Sequence, residues 1–474
     1  MKKSLRYTAI LFSGLFILLL ILFRGAFKTY IFQDDFYLFS ISNASDLRQF
    51  LNFFTPFKPY GFYRPVSIEL FYFLANLINS LFVVRAGIFG LFFLGLVFLY
   101  KSLVVLTKNR RLSFLATTMY AVSFTHIYQL YWLATFQEVA VFTFAAFTVY
   151  AFLLRRSALS LIFFFLALLS REEAMVLPWL LIILWLAHRE TRNRIPFRAL
   201  APYFLLTVPF AGLYVVNFAK VAVRTEYSPH LSPRLVGNNV VWYLLWGLGL
   251  PAFLPDFLPS IFCLPAAGFW AVVNNPVARG YLAFLSVYLF FFVIAVGLVR
   301  KKAATVGAVS LAAFLCFILP MSVIIHKWMV RLTIPLVFLV FFEAFVIYHS
   351  RKPLAVFLIL LYFTYNILAV SVHEQASNYF NESEISKAVA SIVYKNSGKI
   401  RNDGTIYFAE NGAKSVNGWE GSQKLKLVLS DQYFLDYFLP GKRIRAVYSF
   451  ENQMIPTGSF IIDANALLSN ISGR

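Results

Sequence analysis

The stretch Val83–Leu106, VVRAGIFGLFFLGLVFLYKSLVVL, decides the fold class of this chain. As a helix it is long enough to cross the hydrocarbon core of a bilayer, which takes roughly 20 apolar residues. Lys108, Arg110 and Arg111 follow it directly. Because basic residues retain short loops on the cytoplasmic side, the stretch predicts a membrane-spanning helix that ends in the cytoplasm.

The whole chain shares this apolar character. Of its 474 residues, 60% are hydrophobic and only 13% are charged, whereas soluble globular proteins are about 45–50% apolar and about 25% charged. We therefore expect lipid to surround most of the chain.

The formal net charge of +21 is explained by basic cytoplasmic loops that meet anionic lipid, and a nucleic-acid partner is not indicated. Cys263 and Cys316 lie in apolar stretches and predict free thiols.

Apolar runs recur as far as residue 370 and predict further spans. The first, Leu5–Phe23, lacks a small-residue cleavage site, so we interpret it as an uncleaved span with a cytoplasmic N-terminus. Val66–Asn79 is interpreted as a helix along the outer interface. Val240–Val273 contains several prolines and is interpreted as two broken spans or one re-entrant segment. The other predicted spans are Leu112–Phe124, Leu133–Leu154, Leu159–Leu169, Ala174–Ala187, Ala199–Ala219, Tyr281–Val299, Ala303–Ile325, Leu332–Tyr348 and Leu354–Val370.

The basic clusters provide a test of this threading, because all of them fall on its cytoplasmic side. They are Lys2/Lys3/Arg6, Lys108/Arg110/Arg111, Arg155/Arg156, Arg189/Arg192/Arg194/Arg198, Arg300/Lys301/Lys302 and Arg351/Lys352. The threading gives about 11 to 13 spans and places the C-terminus outside.

The composition changes from about Ser371 onward, where charged residues and turn signals return. Helices are predicted at Ser383–Lys395 and Lys424–Phe438, and strands at Thr405–Ala409, Ile444–Phe450 and Ser459–Asp463. We therefore predict an all-α polytopic membrane domain over residues 1–370, with its first outer loop at 24–82. A small soluble α/β domain over residues 371–474 is predicted to lie outside the membrane.

An acidic pair, Asp34-Asp35, lies in the aromatic segment FQDDF at residues 32–36, in the first outer loop. Two adjacent carboxylates repel each other, and a perturbed pKa, a bound cation or an arginine partner would each relieve the repulsion. A carboxylate at a membrane surface can take a proton from an attacking hydroxyl or bind a divalent metal ion. Both alternatives stay open for this pair.

Basic residues also occur on the predicted outer side, against the usual trend. They include Arg64, Arg171, Lys220, Arg224, His326, Lys327 and Arg331. Charges near a bilayer are costly, so this mixed-charge surface favours a site for a polar, partly anionic substrate over ordinary loop solvation and ion pairing.

Several short motifs, taken in order, resemble those of one family. They are Asp34-Asp35, Tyr63-Arg64-Pro65-Val66-Ser67, His126 followed by Trp132 and Glu138, Ser170-Arg171-Glu172-Glu173-Ala174 with Leu177-Pro178, and Arg331 ahead of Pro335. Over residues 1–370 the series resembles the C-type glycosyltransferase superfamily, in the branch of protein O-mannosyltransferases, aminoarabinose transferases and their bacterial relatives. Ile127 stands where that family usually has a proline after the histidine.

The resemblance implies an enzyme of the bacterial plasma membrane that transfers a sugar from a polyprenyl-phosphate donor, with inversion, on the outer face. It implies Asp34 as the general base on the acceptor, supported by Asp35. Contacts to the substrate and its phosphate would come from Arg64, His126, Glu138, Arg171, Glu172, Lys327 and Arg331. The acceptor is left open between a lipid, a glycan and a protein. No cofactor is implied beyond a divalent metal at Asp34 and Asp35, which remains an alternative.

Other functions are weighed against this one. A transporter or flippase of lipid-linked saccharides would show repeated helix bundles and charged residues near mid-span. A polysaccharide polymerase or ligase would show one large outer loop late in the chain. A non-catalytic scaffold would keep its function when Asp34 is replaced.

Overall fold

Helices make up most of the chain. The structure is a computed structural model, and it describes residues 2–58, 61–221, 229–258, 260, 263–266, 269–376, 378–410, 421–451 and 454–472. The first helices are α1 (Lys2–Leu22), α2 (Asp34–Ile41), α3 (Leu47–Asn52), α4 (Phe71–Ile78), α5 (Leu81–Thr107), α6 (Arg110–Val122), α7 (Ile127–Tyr131), α8 (Phe136–Leu153), α9 (Ser157–Leu168), α10 (Leu177–Ala187) and α11 (Arg189–Arg194). They are followed by α12 (Ala201–Val221), α13 (Pro233–Gly247), α14 (Leu254–Phe257), α15 (Phe269–Val273), α16 (Pro276–Ser322), α17 (Leu336–His349) and α18 (Lys352–Ala376).

Within the described residues, five helices are long and apolar enough to cross a membrane. They are Leu81–Thr107, Leu133–Leu153, Phe197–Asn217, Pro276–Ser322 and Lys352–Gln375. Shorter apolar helices lie at Ala9–Leu22, Val66–Ile78, Ser157–Leu168 and Leu336–His349. Large apolar side chains project from these helices, and Leu205, Val208 and Val293 are 72%, 70% and 68% exposed. Such outward faces suit a lipid solvent better than water.

The turn between α5 and α6 shows how local sequence sets these boundaries. Lys108 adopts a left-handed conformation at the end of α5, with φ of 54°. The side chain of Asn109 then accepts the backbone N–H groups of Arg111 and Leu112, each at 3.1 Å. Since a left-handed residue ends a helix and an Asn cap begins the next one, the chain reverses over two residues.

Helix α16 replaces two predicted spans, Tyr281–Val299 and Ala303–Ile325, with 47 residues of unbroken helical backbone. The predicted loop at Arg300–Lys302 is therefore wrong as a break in helical conformation. A straight helix of this length would extend roughly 70 Å. Yet the ring of Phe342 contacts both Phe292, at 6.2 Å between centroids, and Gly307. These two residues would lie roughly 22 Å apart on a straight helix, so the chain reverses between them.

Both ends of α16 also meet the region of α13, a helix of only 15 residues. Asn239 donates to the carbonyl of Ser322 at 2.9 Å, and the Tyr281 hydroxyl donates to the carbonyl of Gly249. The reversal thus lies where the sequence places Arg300–Lys302, although residues on both sides of it belong to one helical element. The remainder of the predicted broken region, after α13, contains only the short helices α14 and α15 in its described residues.

Loops that the sequence places in the cytoplasm meet at one end of the helices. Lys108 and Glu190 form an exposed ion pair there. A largely apolar cavity of about 420 Å³ opens at the same end, with Asn109, His188 and His349 among its lining residues.

The C-terminal region is a small parallel sheet covered by helices. It comprises α19 (Asn378–Lys395), β1 (Thr405–Ala409), α20 (Gly421–Val428), α21 (Tyr433–Phe438), β2 (Arg445–Tyr448), β3 (Phe460–Asp463) and α22 (Ala464–Ser472). The strand order is β2-β1-β3, with Thr405 opposite Arg445 and Ile406 opposite Phe460. The three predicted strands are therefore confirmed, and Phe408 stacks on Tyr448 in the core between strands and helices.

One predicted helix of this region, Lys424–Phe438, is wrong as a single element. The structure divides it into α20 and α21. Ser430 and Asp431 between them have φ values of 54° and 56°, a left-handed conformation that ends a helix. Lys426 and the Tyr448 hydroxyl hold this turn, the first by an ion pair with Asp431 at 3.6 Å and the second by a hydrogen bond to its carbonyl.

The C-terminal region packs on the start of the chain. The ring of Phe36 lies 5.3 Å from that of Phe438, and the backbone N–H of Gln33 donates to the carbonyl of Val428 at 2.7 Å. One continuous hydrophobic cluster joins the two regions. The predicted domain boundary after residue 370 lies inside α18, which continues to Ala376.

Candidate functional site

The predicted acidic pair opens helix α2, and its two carboxylates have different surroundings. Asp34 is the exposed first residue of the helix, where the helix dipole favours a negative charge. Asp35 is fully buried and accepts hydrogen bonds from the Tyr72 hydroxyl at 2.7 Å and the Phe32 N–H at 3.2 Å. Burial raises the pKa of Asp35 to about 7, although these hydrogen bonds and the nearby Arg85 oppose the increase. At neutral pH the pair therefore offers one exposed and one inward, partly protonated carboxyl group.

The loop before α2 is held from two sides. Phe32 stacks on Trp132 at 5.5 Å, and the Trp132 indole N–H donates to the Phe32 carbonyl. On the other side, the amide of Gln33 donates to Glu382 of α19 at 2.6 Å. Burial raises the pKa of Glu382 to about 7. The position of Asp34 is therefore fixed by both the helical region and the C-terminal region.

Arg64 and Glu172 form a second element of the site. The Arg64 guanidinium donates from Nε and Nη2 to the two carboxylate oxygens of Glu172, at 2.8 and 2.5 Å, and from Nη1 to Gln137. Pro65 after it begins a π-helical turn, and Glu172 begins a 3₁₀ turn. Although burial raises it, the pKa of Glu172 falls to about 2 because of the adjacent arginines, of which Arg64 has the largest effect.

Arg171 joins the loops from three parts of the chain. Its side chain is buried and forms ion pairs with Glu138 of α8 and with Glu173, the latter at 3.3 Å. Glu138 also accepts a hydrogen bond from the hydroxyl of Thr333, which follows Arg331, at 3.1 Å. Arg331 itself interacts electrostatically with Glu173 and Glu172. We refer to the resulting set as the charged cluster: Arg64, Arg171, Arg331, Glu138, Glu172 and Glu173.

Two groups of the charged cluster are incompletely paired within the described residues. Neither carboxylate oxygen of Glu173 has a hydrogen-bond partner, and neither does Nη1 of Arg331, although both side chains are buried. Burial raises the pKa of Glu173. Buried polar groups are nearly always hydrogen-bonded, so these atoms are candidates to contact a further polar group.

The protonation of Glu173 decides the charge of the site. With every group ionised, the arginines and glutamates of the charged cluster cancel. When Glu173 carries a proton, the cluster has one excess positive charge and a carboxyl O–H that can donate. This state favours an anion with several acceptor oxygens, such as a phosphate.

His126 is placed behind the charged cluster. It is fully buried, and its ring nitrogens lie 2.7 Å from the Tyr120 carbonyl and from Gln129, which in turn donates to Thr333. Burial lowers the pKa of His126 to about 4, so the ring is neutral at physiological pH. It therefore positions the loop that carries Glu138, and its predicted direct contact with the substrate is not favoured by this geometry.

The remaining predicted cations lie elsewhere. Lys327 lies between α16 and α17, next to Trp328, whose ring packs on Trp132 at 5.7 Å. Trp132 and Trp328 thus form an aromatic connection between the loop of Asp34 and the segment that leads to Arg331. Arg224 and the side chain of Lys220 lie outside the described residues.

Among the described residues, no group of three or more His, Cys, Asp or Glu side chains is arranged to hold a metal ion. A metal at Asp34 and Asp35 stays a prediction.

Known proteins give no further guidance. No protein-family model matches the chain, and no curated protein matches it. The function has to be argued from the site.

Sequence reasoning missed several residues of the site. Gln137 and Thr333 are neutral residues close to predicted ones, and Glu173 lies in a predicted motif but has no predicted role of its own. Lys58 and Glu69 form a buried ion pair of 2.5 Å in the first outer loop. The signal for this pair was available, because a buried lysine needs a carboxylate partner and Glu69 is the acid closest to Lys58 in the sequence.

Proposed function

We propose that the chain is a glycosyltransferase embedded in the bacterial plasma membrane, which moves a sugar from a polyprenyl-phosphate donor to an acceptor on the outer face. The observation that supports this most is the charged cluster, in which Arg331 and Glu173 have unpaired polar atoms. Three arginine-bearing segments, far apart in sequence, meet in it.

The donor phosphate is proposed to bind at the charged cluster. Its oxygens would accept from Arg331 Nη1 and, when Glu173 is protonated, from its carboxyl O–H; these atoms lack hydrogen-bond partners among the described residues. Arg64 and Arg171 add positive potential, which counts most when the phosphate gains charge as a leaving group. Arg64 already forms a bidentate pair with Glu172. Its proposed role is therefore to add positive electrostatic potential and not to bind the phosphate directly.

Asp34 is proposed as the general base. The acceptor hydroxyl oxygen forms a bond to the anomeric carbon, and Asp34 takes the hydroxyl proton. The bond from that carbon to the phosphate oxygen breaks, and its electron pair leaves with the polyprenyl phosphate, which gives inversion. Asp34 suits this role because it is exposed and begins a helix, which stabilises its ionised form. Buried Asp35 positions the loop through Tyr72.

Embedding in a membrane is supported by the apolar helices and their outward apolar faces. We propose the topology of about 11 to 13 spans with a cytoplasmic N-terminus and the C-terminal region outside. The ion pair of Lys108 with Glu190 joins two loops of the proposed cytoplasmic side. The charged cluster joins loops that all belong to the proposed outer side.

The test is sugar transfer by the purified full-length chain from a panel of polyprenyl-phosphate sugars. We expect Asp34→Asn to lose transfer while donor binding persists, and Arg331→Gln to weaken donor binding. Asp403→Asn and Arg48→Gln are matched controls, since both side chains are exposed, and they should behave as wild type. Full transfer by Asp34→Asn would remove it as the base, and unchanged donor binding by Arg331→Gln would remove the phosphate site.

A flippase or transporter of lipid-linked saccharides is the second candidate, and Glu343 favours it. This acid is buried in the middle of α17 and accepts a hydrogen bond from Tyr288 at 3.2 Å. Ionisable residues inside apolar helices often mark substrate or proton paths. Movement of a lipid-linked sugar across liposomes, lost in Glu343→Gln but kept in Asp34→Asn, would support this candidate over the transferase.

A further inference from the structure

A cavity of about 340 Å³ lies between helix α2 and the C-terminal region. One wall is formed by Phe36, Phe39 and Ser40 of α2, and a second by the residues that join α4 to α5. Tyr394, Tyr433, Asp436 and Tyr437 of the C-terminal region complete it. Ligand sites for small molecules have volumes of about 300 to 1,000 Å³, so the cavity is large enough for one compact ligand.

The lining combines aromatic rings with neutral hydrogen-bonding groups. Tyr394 and Tyr433 are half exposed, at 50% and 38%, and offer flat apolar surfaces. Asn76 donates to Asn43 at 2.9 Å, which orients both amides at the rim. The side chains of Asn79 and Asp436 make no hydrogen bond with another described residue. Donors and acceptors are therefore available to a ligand beside a stacking surface.

The charge of the lining selects the class of ligand. Among the described residues that line the cavity there is no lysine or arginine, and Asp436 is the only ionisable acid. An anionic ligand such as a phosphate would be repelled here. Lipid tails are equally unsuited, because amides, hydroxyls and a carboxylate surround the space. A neutral ligand with a ring whose C–H face can stack and whose edge carries many hydroxyls matches the lining.

We propose that this cavity binds a neutral saccharide unit. Its attribution to the acceptor rests on the proposed function, whereas saccharide binding does not. Residues 36, 39 and 40 share one face of α2, and Asp34 lies on the opposite face, given a rotation of about 100° per residue. A sugar in the cavity is therefore not the unit attacked at Asp34. It is a neighbouring unit of an extended glycan acceptor that passes around the helix.

The test measures the binding of neutral disaccharides to the purified full-length chain by saturation-transfer NMR. The probes are maltose, β-1,4-mannobiose and N,N′-diacetylchitobiose. At least one should bind to wild type, and its affinity should fall about tenfold or more in Tyr433→Ala and in Asp436→Ala. Tyr433→Phe keeps the ring, and Asp403→Ala removes an exposed carboxylate elsewhere, so both should bind as wild type.

Binding of none of the probes, or equal binding by wild type, Tyr433→Ala and Asp436→Ala, would overturn the proposal. Melting temperatures of all variants separate a loss of binding from a loss of folding. Asp34→Asn protein separates this proposal from the proposed function. If its disaccharide binding is intact while transfer is unaffected by the mutation, the cavity stands and the assignment of Asp34 fails.

Discussion

At the scale of single residues, two adjacent carboxylates of the charged cluster, Glu172 and Glu173, have different surroundings. Glu172 is ionised and held by two hydrogen bonds from Arg64, whereas Glu173, its neighbour, is buried without any hydrogen bond to its oxygens among the described residues. Removing one partner of a buried ion pair is strongly destabilising, because it leaves an uncompensated charge. Burial raises the pKa of Glu173, so its replacement by a neutral amide should cost less than that of Glu172.

This contrast gives a prediction for stability. Glu172→Gln should reduce the free energy of unfolding by about 3 kcal/mol, since Arg64 loses its charged partner. Glu173→Gln replaces a carboxyl whose pKa is raised by burial with an amide of the same shape, and should change the free energy of unfolding by less than about 1 kcal/mol. Melting temperatures of the two variants in the same detergent provide the measurement. Equal losses in both would show that the fold depends on the charge of Glu173 as much as on that of Glu172.

Asp35 gives a prediction for pH. Its pKa is raised from 3.8 to about 7 in the folded chain, so the folded state binds a proton that the unfolded state releases. By linkage, the contribution of Asp35 to the free energy of unfolding falls as the pH rises from about 4 to about 7. Above pH 7 it changes no further. Asp35→Asn lacks this dependence.

The measurement is the melting temperature of wild type minus that of Asp35→Asn, taken from pH 5 to pH 8. We expect the difference to decrease with rising pH and then to level off. A difference that stays constant over this range would show that Asp35 is already ionised in the fold at pH 5, so that its pKa is not raised.

The sequence predicted the charged residues of the site more accurately than it predicted the residues that they contact. Arg64, Arg171, Glu172 and Arg331 attract attention because charges are rare and costly in so apolar a chain. Their partners lie up to 108 positions away, as with Arg64 and Glu172, and depend on how the helices pack. The inward orientation of Asp35, against the outward one of Asp34, likewise follows from α2 packing on Tyr72.

At the scale of elements, apolar runs predicted helices well where polar residues interrupt them. The predicted span Val83–Leu106 corresponds to Leu81–Thr107 in the structure. The reversal within α16 was beyond such reasoning. Arg300, Lys301 and Lys302 are good helix formers with no glycine or proline beside them, so helical backbone continues where tertiary packing on α17 turns the chain back.

Spin labels can test the reversal. In a chain whose Cys263 and Cys316 are replaced by serine, cysteines are introduced at the exposed positions Val287 and Leu319. On a straight helix these positions would lie roughly 48 Å apart. With the reversal we expect less than about 30 Å, since packed helices have axes about 8–10 Å apart. Pulsed electron paramagnetic resonance measures the distance, and a value near the straight-helix one would exclude the reversal.

At the scale of the whole molecule, the two ends of the helices differ in character. One end carries the charged cluster, the loop of Asp34 and the C-terminal sheet, and the other carries Lys108, Glu190 and the apolar cavity beside His188. The proposed topology assigns the first end to the outside.

This assignment predicts the accessibility of single cysteines in intact bacterial cells that express the cysteine-free chain. A membrane-impermeant maleimide should label Asp403→Cys but label Lys301→Cys only after the cells are opened, because basic loops are retained in the cytoplasm. The two exposed positions serve as controls for each other. Labelling of Lys301→Cys in intact cells would reverse the topology.

The contacts between Gln33 and Glu382 and between Tyr30 and Ser383 join residues 349 and 353 positions apart. Because synthesis proceeds from the N-terminus, the loop of Asp34 is made, and by the proposed topology translocated, long before its partners exist. Until the ribosome has delivered the C-terminal region, that loop lacks the hydrogen bonds to Glu382 and Ser383, although Trp132 can already hold its other side. Assembly of the acidic pair is thereby delayed to a late step of biogenesis, and a nascent chain cannot complete this site early.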